Sequence, residues 1–410
     1  MSERGERTGE AVPQGAPETS LRETIANLHA ATAELDPPLA ALDLTALRAN
    51  AADLVRRANG VPVRVASKSV RCRAVLEEVL GDELTAAGGF AGLMCYSLAE
   101  AIWLARRGAR DILLGYPTVD RAALAELAGD ETLLRSITLM VDDVDQLDLI
   151  RAALGTDLVR PRVCLDVDAS LRIGPLHLGV RRSPVRTPEQ AAALAGAALR
   201  RKFEVVGVMT YEAQIAGMPD SNVALRLMKR ASAAEITKRR KRVLDAVRSV
   251  TGKLEIVNSG GSGSIEVSVA DPDVTEVTAG SGLYVPTLFD HYRAFTPRPA
   301  LFFATSVLRR PAPSIATVFA GGYIASGPTG ASRVPKPVWP SGLRLIGTEG
   351  AGEVQTPLTG AAQLRIGDRV WFRHAKAGEL CERFDKVHLV DANGARTTVP
   401  TYRGEGNCFG

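Results

Sequence analysis

From about residue 61 the chain alternates short, nearly continuous apolar runs with stretches of ten to twenty residues whose apolar positions repeat at helical spacing. The runs are Val61 to Lys68, Leu84 to Gly88, Ile112 to Gly115, Ile137 to Val141, Val163 to Asp168, Val205 to Thr210, Leu254 to Asn258 and Glu276 to Gly280, eight in all. Apolar strands separated by helices are what a parallel sheet needs when both of its faces are covered. Eight such units predict a (β/α)8 barrel of the TIM type, with a doubly wound open sheet as the structural alternative. Upstream, Leu21, Ile25 and Leu28 predict a helix between Ser20 and Leu35, then Leu39 to Asp43 a short strand and Leu44 to Asn59 a helix. The barrel unit is therefore expected over residues 37–295. After Pro297 the pattern shifts to short strands broken by Gly, Pro and Asn turns: Ala300 to Leu308, Ser314 to Phe319, Leu343 to Gly347, Arg369 to Arg373 and Val387 to Val390. That predicts an all-β domain over residues 296–410, with residues 21–36 as an expected packing partner.

Composition changes this picture little. With 410 residues, 46% of them apolar, the chain can fill two cores. The net charge of +4 is spread out, and the densest basic run, Lys229 to Arg242, reads as the exposed face of a helix, so no nucleic-acid partner is expected. Five cysteines form no C-x-x-C pair, which argues against a zinc knuckle or a disulfide framework and for a reducing, cytoplasmic setting. Residues 1–20 are rich in Gly, Glu, Pro and Arg and read as a disordered tail, not a signal peptide, and no apolar run is long enough for a bilayer.

The chemistry centres on Lys68. It ends the first barrel strand, on the side where barrels of this kind place their chemistry. An amine there can form a Schiff base if it is neutral part of the time, and Arg64 and Arg71 are expected to favour that; a solvated strand-end lysine is the plain alternative. Two Gly/Ser loops follow the seventh and eighth strands, Asn258 to Ser264 and Ala279 to Gly282. Loops at those positions usually cradle phosphate, which marks Ser259, Gly261, Ser262, Gly263, Gly280 and Ser281. A lysine facing a phosphate cradle describes a ligand with an aldehyde and a phosphate, pyridoxal 5'-phosphate. Arg172 is expected to hydrogen-bond the cofactor's phenolic oxygen, or else to pair with Asp166 or Asp168. Tyr211 is expected beside the ring, or else packed at the rim.

In these residues the chain resembles the fold-type III pyridoxal-phosphate enzymes, the alanine racemase-like barrels, and within them the D-threonine aldolase and D-serine dehydratase group. The resemblance runs in order from about residue 37 onward: Pro38 to Asn50, Arg64-x-x-x-Lys68, Gly92 to Glu100, Asp111 to Gly115, Arg172-x-Gly174, Gly207 to Tyr211, Ser259 to Ser264 and Ala279 to Ser281. It implies that Lys68 carries the cofactor, that Ser262, Gly263, Gly280 and Ser281 hold its phosphate, and that the chain is a lyase acting on D-amino acids with a β-hydroxyl. An amino-acid racemase of the same fold and a non-catalytic cofactor carrier are the alternatives. The implied partner is a small amino acid, with the chain a monomer or a homodimer. Two departures from the group stand out. Its metal-binding histidine has a counterpart in His374, but the second ligand position holds Lys376, whose ammonium has no lone pair; only Glu379 or Cys381 remain as partners. No divalent metal is therefore expected, and Lys376 is expected to supply the positive charge to the substrate. Near Tyr211, Gln214 stands where the group has a histidine, so His374, Lys376 and Gln214 complete the expected substrate site.

Overall fold

The computed structural model describes residues 18–155 and 160–410. The expected N-terminal tail lies, up to residue 17, outside the described residues. In chain order the strands of the first two-thirds are β1 (Leu39–Asp43), β2 (Val63–Ala66), β3 (Ala86–Ala87), β4 (Phe90–Cys95), β5 (Ile112–Leu114), β6 (Ile137–Val141), β7 (Arg162–Asp166), β8 (Leu171–Ile173), β9 (Leu176–Leu178), β10 (Glu204–Thr210), β11 (Ile256–Ser259) and β12 (Glu276–Ala279). Eight of them close into a parallel barrel in the order β2, β4, β5, β6, β7, β10, β11, β12, with β12 and β4 both pairing with β2.

The second barrel strand lies further along than the hydrophobic pattern suggests. Leu84 to Gly88 is not the parallel strand; Ala86–Ala87 only folds back antiparallel on the start of β4, and Phe90–Cys95 takes the barrel position. The cause is the pair Gly88 and Gly89, both at positive φ, which turn the chain and leave Phe90, Leu93 and Cys95 to be buried. Met94, Leu113, Met140, Cys164, Val206, Met209 and Ile256 form an apolar cluster on the barrel strands. Arg64 plugs the N-terminal end, buried between Glu276 at 2.6 Å and Asp111 at 2.9 Å. It points away from Lys68 with its charge matched, so it is not the free cation beside that amine that its i, i+4 spacing suggests.

The last third forms β13 (Leu301–Ala312), β14 (Ile315–Phe319), β15 (Lys336–Trp339), β16 (Arg344–Leu345), β17 (Gln355–Thr359), β18 (Arg369–Arg373), β19 (Lys386–Val390) and β20 (Arg396–Pro400). They join in one all-β sheet region together with β1, which ladders antiparallel on β13 and parallel on β19. Thus β1 belongs to this sheet and not to the barrel unit that the sequence pattern extends back to residue 37. All five of its residues are buried, which a central strand between two neighbours satisfies. Its alternating side chains also divide two cores: Ala40 and Leu42 join the main one, Leu39 and Ala41 a smaller one with Phe302, Ala304 and Trp371. The helix Glu18–Ala31 closes that smaller core with Ile25 and Leu28. Asp43 then caps the helix Leu44–Ala58, accepting from the N–H of Thr45 and Ala46, and so swings the chain from the sheet to the barrel. Among the described residues, no helix is long and apolar enough to cross a membrane.

Candidate active site

Lys68 occupies a single 3-10 turn, Ser67–Ser69, directly after β2. Bonds from several parts of the chain fix that turn. Ser67 Oγ donates to Met94 O at 3.0 Å, Arg71 Nε to Lys68 O at 3.1 Å and Tyr284 Oη to Val70 O at 3.0 Å. The C-terminal segment adds Tyr402 N–H to Arg71 O at 3.0 Å, and Arg73 pairs with Glu405 at 3.2 Å. Tyr402 is buried against Trp103 and Phe409, so this segment underpins the lysine turn. The β-domain reaches the same turn through Gly378, at φ 82°, where a Cβ would stand 2.0 Å from Lys68 O. Only glycine allows that approach.

The turn opens on a cavity of about 510 Å³ at the C-terminal ends of the barrel strands. Of the residues singled out by sequence, Lys68, Tyr211, Gly261, Ser262, Gly280, Ser281, Lys376 and Glu379 all line it. The two Gly/Ser loops meet across it: Ser262 Oγ accepts from the N–H of Gly280 at 3.3 Å and of Gly282 at 2.9 Å, and Ser281 Oγ lies 3.1 Å from Ser69 Oγ. A Cβ on Gly280 would stand 2.6 Å from Ala66 O, so glycine is what lets the eighth-strand loop close on the lysine strand.

Other expectations change. Arg172 does not line the cavity; it lies on the β8–β9 hairpin, its side chain 46% exposed, and donates to Asp168 at 2.8 Å. Asp168 also holds Arg186 and Ser170, a local acceptor strong enough to keep Arg172 out of the mouth. Ser259 sits one layer behind, donating to Glu212 at 3.0 Å and accepting from Arg240 at 2.7 Å. Gly263 is packing: a Cβ there would meet Tyr292 Cε1 at 2.4 Å. Gln214 turns away from the cavity, donating to Ala169 O at 2.7 Å and Ser232 Oγ at 2.6 Å.

His374 faces a second cavity of about 350 Å³. Its Nδ1 lies 3.2 Å from Leu301 O, its Nε2 has no partner, and burial with Arg373 beside it pushes its pKa down to about 3. Lys376 Nζ donates to Ser326 Oγ at 2.5 Å and pairs with Glu379 at 3.1 Å, while Cys381 is buried away from both cavities. Among the described residues, no three His, Cys, Asp or Glu side chains gather as a metal site would require.

Several cavity residues have little signal in the sequence. Tyr116, just after β5, accepts from Lys68 Nζ at 2.5 Å. Burial would raise its pKa, but Lys68 and Arg182 outweigh that and hold it below the usual tyrosine value. Asp166 ends β7 inside the cavity; burial, with Asp142 near it, pushes its pKa up to about 7 against the pull of Arg182. Tyr211 stays protonated, its pKa pushed up to about 12 by burial. Behind the turn, Glu100 is fully buried, accepts from Tyr96 N–H at 2.8 Å, and is pushed up to about 7 by burial.

These two acids give a pH signature. Both pKa values are higher folded than unfolded, where 3.8 and 4.5 apply. The folded state therefore holds more protons, and its stability falls as pH rises from about 4 to about 7, by at most about 4 kcal/mol for Asp166 and about 3 kcal/mol for Glu100. Thermal melts of the cofactor-free protein between pH 5 and 8 are expected to show this decline, and Asp166→Asn and Glu100→Gln each to reduce it. Parallel melting curves for parent and variants would contradict it.

A family model described as the alanine racemase N-terminal domain matches residues 42–287. Among curated proteins the chain is similar to the 3-hydroxy-D-aspartate aldolase of Paracoccus denitrificans (strain Pd 1222), 26% identical over 300 residues, 70% of this chain and 72% of that one. It is also similar to a D-threonine aldolase of an Arthrobacter species, 25% identical over 302 residues, 70% of this chain and 72% of that one. Among solved structures it is similar to D-threonine aldolase from Filomicrobium marinum, at TM-score 0.75 and 21% identity over 91% of this chain and 96% of that one. D-threo-3-hydroxyaspartate dehydratase from Delftia sp. HT23 aligns at TM-score 0.70 and 20% identity, over 90% of this chain and 97% of that one.

Proposed function

This chain belongs to the alanine racemase N-terminal domain family, and from that premise we propose that it is a pyridoxal-phosphate-dependent lyase acting on D-amino acids with a β-hydroxyl. The observation that carries the reading is one cavity that joins the Lys68 amine to the Gly261–Ser262 and Gly280–Ser281 loops. Both curated relatives are named as aldolases of such D-amino acids, which favours bond cleavage over racemisation.

The residues present fit the cofactor. Lys68 offers the amine that an aldehyde needs, and the missing Cβ lets Gly280 lie against Ala66 and Ser69 of the lysine strand and turn, and Gly261 against Ala216. Ser262, Ser281 and backbone N–H groups of these loops would hold the phosphate, and Tyr211 would lie against the ring. When bound, pyridoxal phosphate supplies an electron sink for the bond that breaks at Cα. The protein's own groups handle protons. Lys68 Nζ and Tyr116 Oη are already in hydrogen-bond contact, so a proton passes between them without rearrangement. Asp166, with its pKa near 7, can give or take a proton at the cavity wall, a role that the displaced Gln214 does not fill.

Lys376 lines the cavity where its ammonium supplies positive charge. Turnover is therefore expected to survive EDTA and to gain nothing from added divalent ions; loss with chelator and recovery with metal would overturn that. The unpaired thiols of Cys72, Cys95, Cys164, Cys381 and Cys408 fit a cytoplasmic setting. The function is tested by incubating the holoenzyme with both enantiomers of serine, threonine, allo-threonine, alanine and 3-hydroxyaspartate. Aldehyde or keto acid from the D-β-hydroxy substrates is the expected outcome. Inverted enantiomer without a carbonyl product would replace the lyase by a racemase.

A further inference from the structure

The charges around the main cavity do not cancel. Arg71 pairs with Glu382 at 2.7 Å, Lys376 with Glu379 at 3.1 Å, and Lys68 donates to Tyr116 Oη at 2.5 Å. Arg182 stands on the barrel wall near Tyr116 and Asp166, on the side of the cavity that holds Lys68. That leaves Arg333, contributed by the β-domain. Among the described residues no carboxylate pairs with it, its Nη1 has only Ser332 Oγ at 3.4 Å, and its Nε is buried with no acceptor at all. A guanidinium stays charged at any working pH, and a buried donor without an acceptor costs about 1–3 kcal/mol, so such a group is set for a ligand.

The loop that carries Arg333 is held in place. Ala325 N–H donates to Arg333 O at 2.9 Å, closing the loop at its base. Ser326 is pinned by Glu379, its N–H at 2.8 Å and its hydroxyl at 2.6 Å from that carboxylate, and by Lys376 at 2.5 Å. The guanidinium packs over Gly327, where a Cβ would stand 2.7 Å from Arg333 Nε. Ser326, Arg333 and Lys376, with Glu379 between them, thus form one ordered, net positive edge that the β-domain lends to the cavity.

We propose that Arg333 is the specificity residue for a second carboxylate on the substrate, so that the preferred substrate is a dicarboxylic β-hydroxy amino acid. The inference rests on the lyase reading of this cavity and deepens it. A planar fork of N–H donors matches a carboxylate in two parallel bonds, which a neutral methyl or hydroxymethyl side chain cannot use. A substrate lacking that carboxylate leaves the charge unmatched, which is how a site discriminates strongly between near-isosteres.

The test is calorimetric binding of two non-reacting hydroxy acids, D-malate and D-lactate, to the holoenzyme. The parent is expected to bind D-malate at least ~10-fold tighter, and Arg333→Gln to weaken D-malate by ~10- to 100-fold while leaving D-lactate within about twofold. Arg333→Lys keeps the charge without the fork and should fall between; it also serves if Arg333→Gln melts early. Equal affinity for the two acids in the parent, or equal loss of both in either variant, overturns the proposal. Turnover of D-threo-3-hydroxyaspartate and D-threonine is measured alongside. If neither reacts while D-malate still binds through Arg333, the lyase reading fails while the assignment of Arg333 to a ligand's second carboxylate stands.

Discussion

Lys68→Ala is expected to lower turnover by ~10⁴-fold or more and to leave the purified protein without the yellow colour of bound pyridoxal phosphate. Among the described residues Lys68 is the only lysine of the barrel that lines the cavity, it stands 2.5 Å from Tyr116, and its turn is tied down by Ser67, Arg71, Tyr284 and Tyr402. Those ties involve the backbone or other side chains, so removing the amine leaves the fold intact. Lys68→Ala should melt within a few degrees of the parent. Borohydride treatment of the parent should leave a reduced cofactor adduct on the peptide carrying Lys68 and on no other. An adduct elsewhere, or a colourless parent after soaking in the cofactor, would remove the basis for the proposed function. Tyr116→Phe gives the graded companion result: it keeps the ring against Lys68, removes the proton partner, and is expected to cost ~10²-fold in turnover with cofactor still attached.

The barrel was legible because its signal is local. Seven of the eight barrel strands coincide with apolar runs, and the exception, Phe90–Cys95, was displaced by a glycine turn whose positive φ values cannot be read from hydrophobicity. In the β-domain the strands Lys336–Trp339, Gln355–Thr359 and Arg396–Pro400 were missed because Pro337, Pro357 and runs of Thr and Arg hide the alternation. The place of β1 was not legible at all, since its partners β13 and β19 lie more than 250 residues away and pairing leaves no local mark. The same division holds at the site. Lys68 and the glycine loops carry type and spacing that name their chemistry. Arg172 and Arg182 do not: both are arginines in the segment after β7, and only the folded chain shows Arg182 at the cavity and Arg172, on β8, paired with Asp168 outside it. Asp166, Tyr116 and Arg333 owe their interest to burial and to unmatched partners, which exist only once the chain has folded.

The second large effect lies one layer behind the cavity. Glu212, fully buried after β10, accepts from Ser259 Oγ at 3.0 Å, Gly260 N–H at 3.2 Å, Ser264 Oγ at 3.0 Å and Ser268 Oγ at 2.6 Å. Four donors, from the end of β11, the loop after it and the helix Ile265–Val269, thus converge on a single carboxylate. Arg240 braces the far side, bonded to Ser259 and Thr210 and paired with Asp271 at 2.6 Å. The loop's shape, and so the proposed phosphate cradle, depends on that acceptor. Glu212→Ala strands the donors in a buried space at about 1–3 kcal/mol each before relaxation, so a net loss of about 3–5 kcal/mol is expected, seen as a fall in melting temperature. Glu212→Gln keeps the volume and one acceptor oxygen for Ser259 and Gly260, and its NH2 can donate to the Ser264 and Ser268 hydroxyls if they rotate, so it removes the charge and should cost less than Glu212→Ala. The informative readout is cofactor retention: both variants are expected to release pyridoxal phosphate on dialysis, with apparent affinity lowered ~100-fold, while Lys68 remains reactive toward free aldehyde. A Glu212→Ala protein that melts like the parent and holds its cofactor through dialysis would show that the loop is shaped by its glycines alone, and that the buried carboxylate is not what positions the cradle.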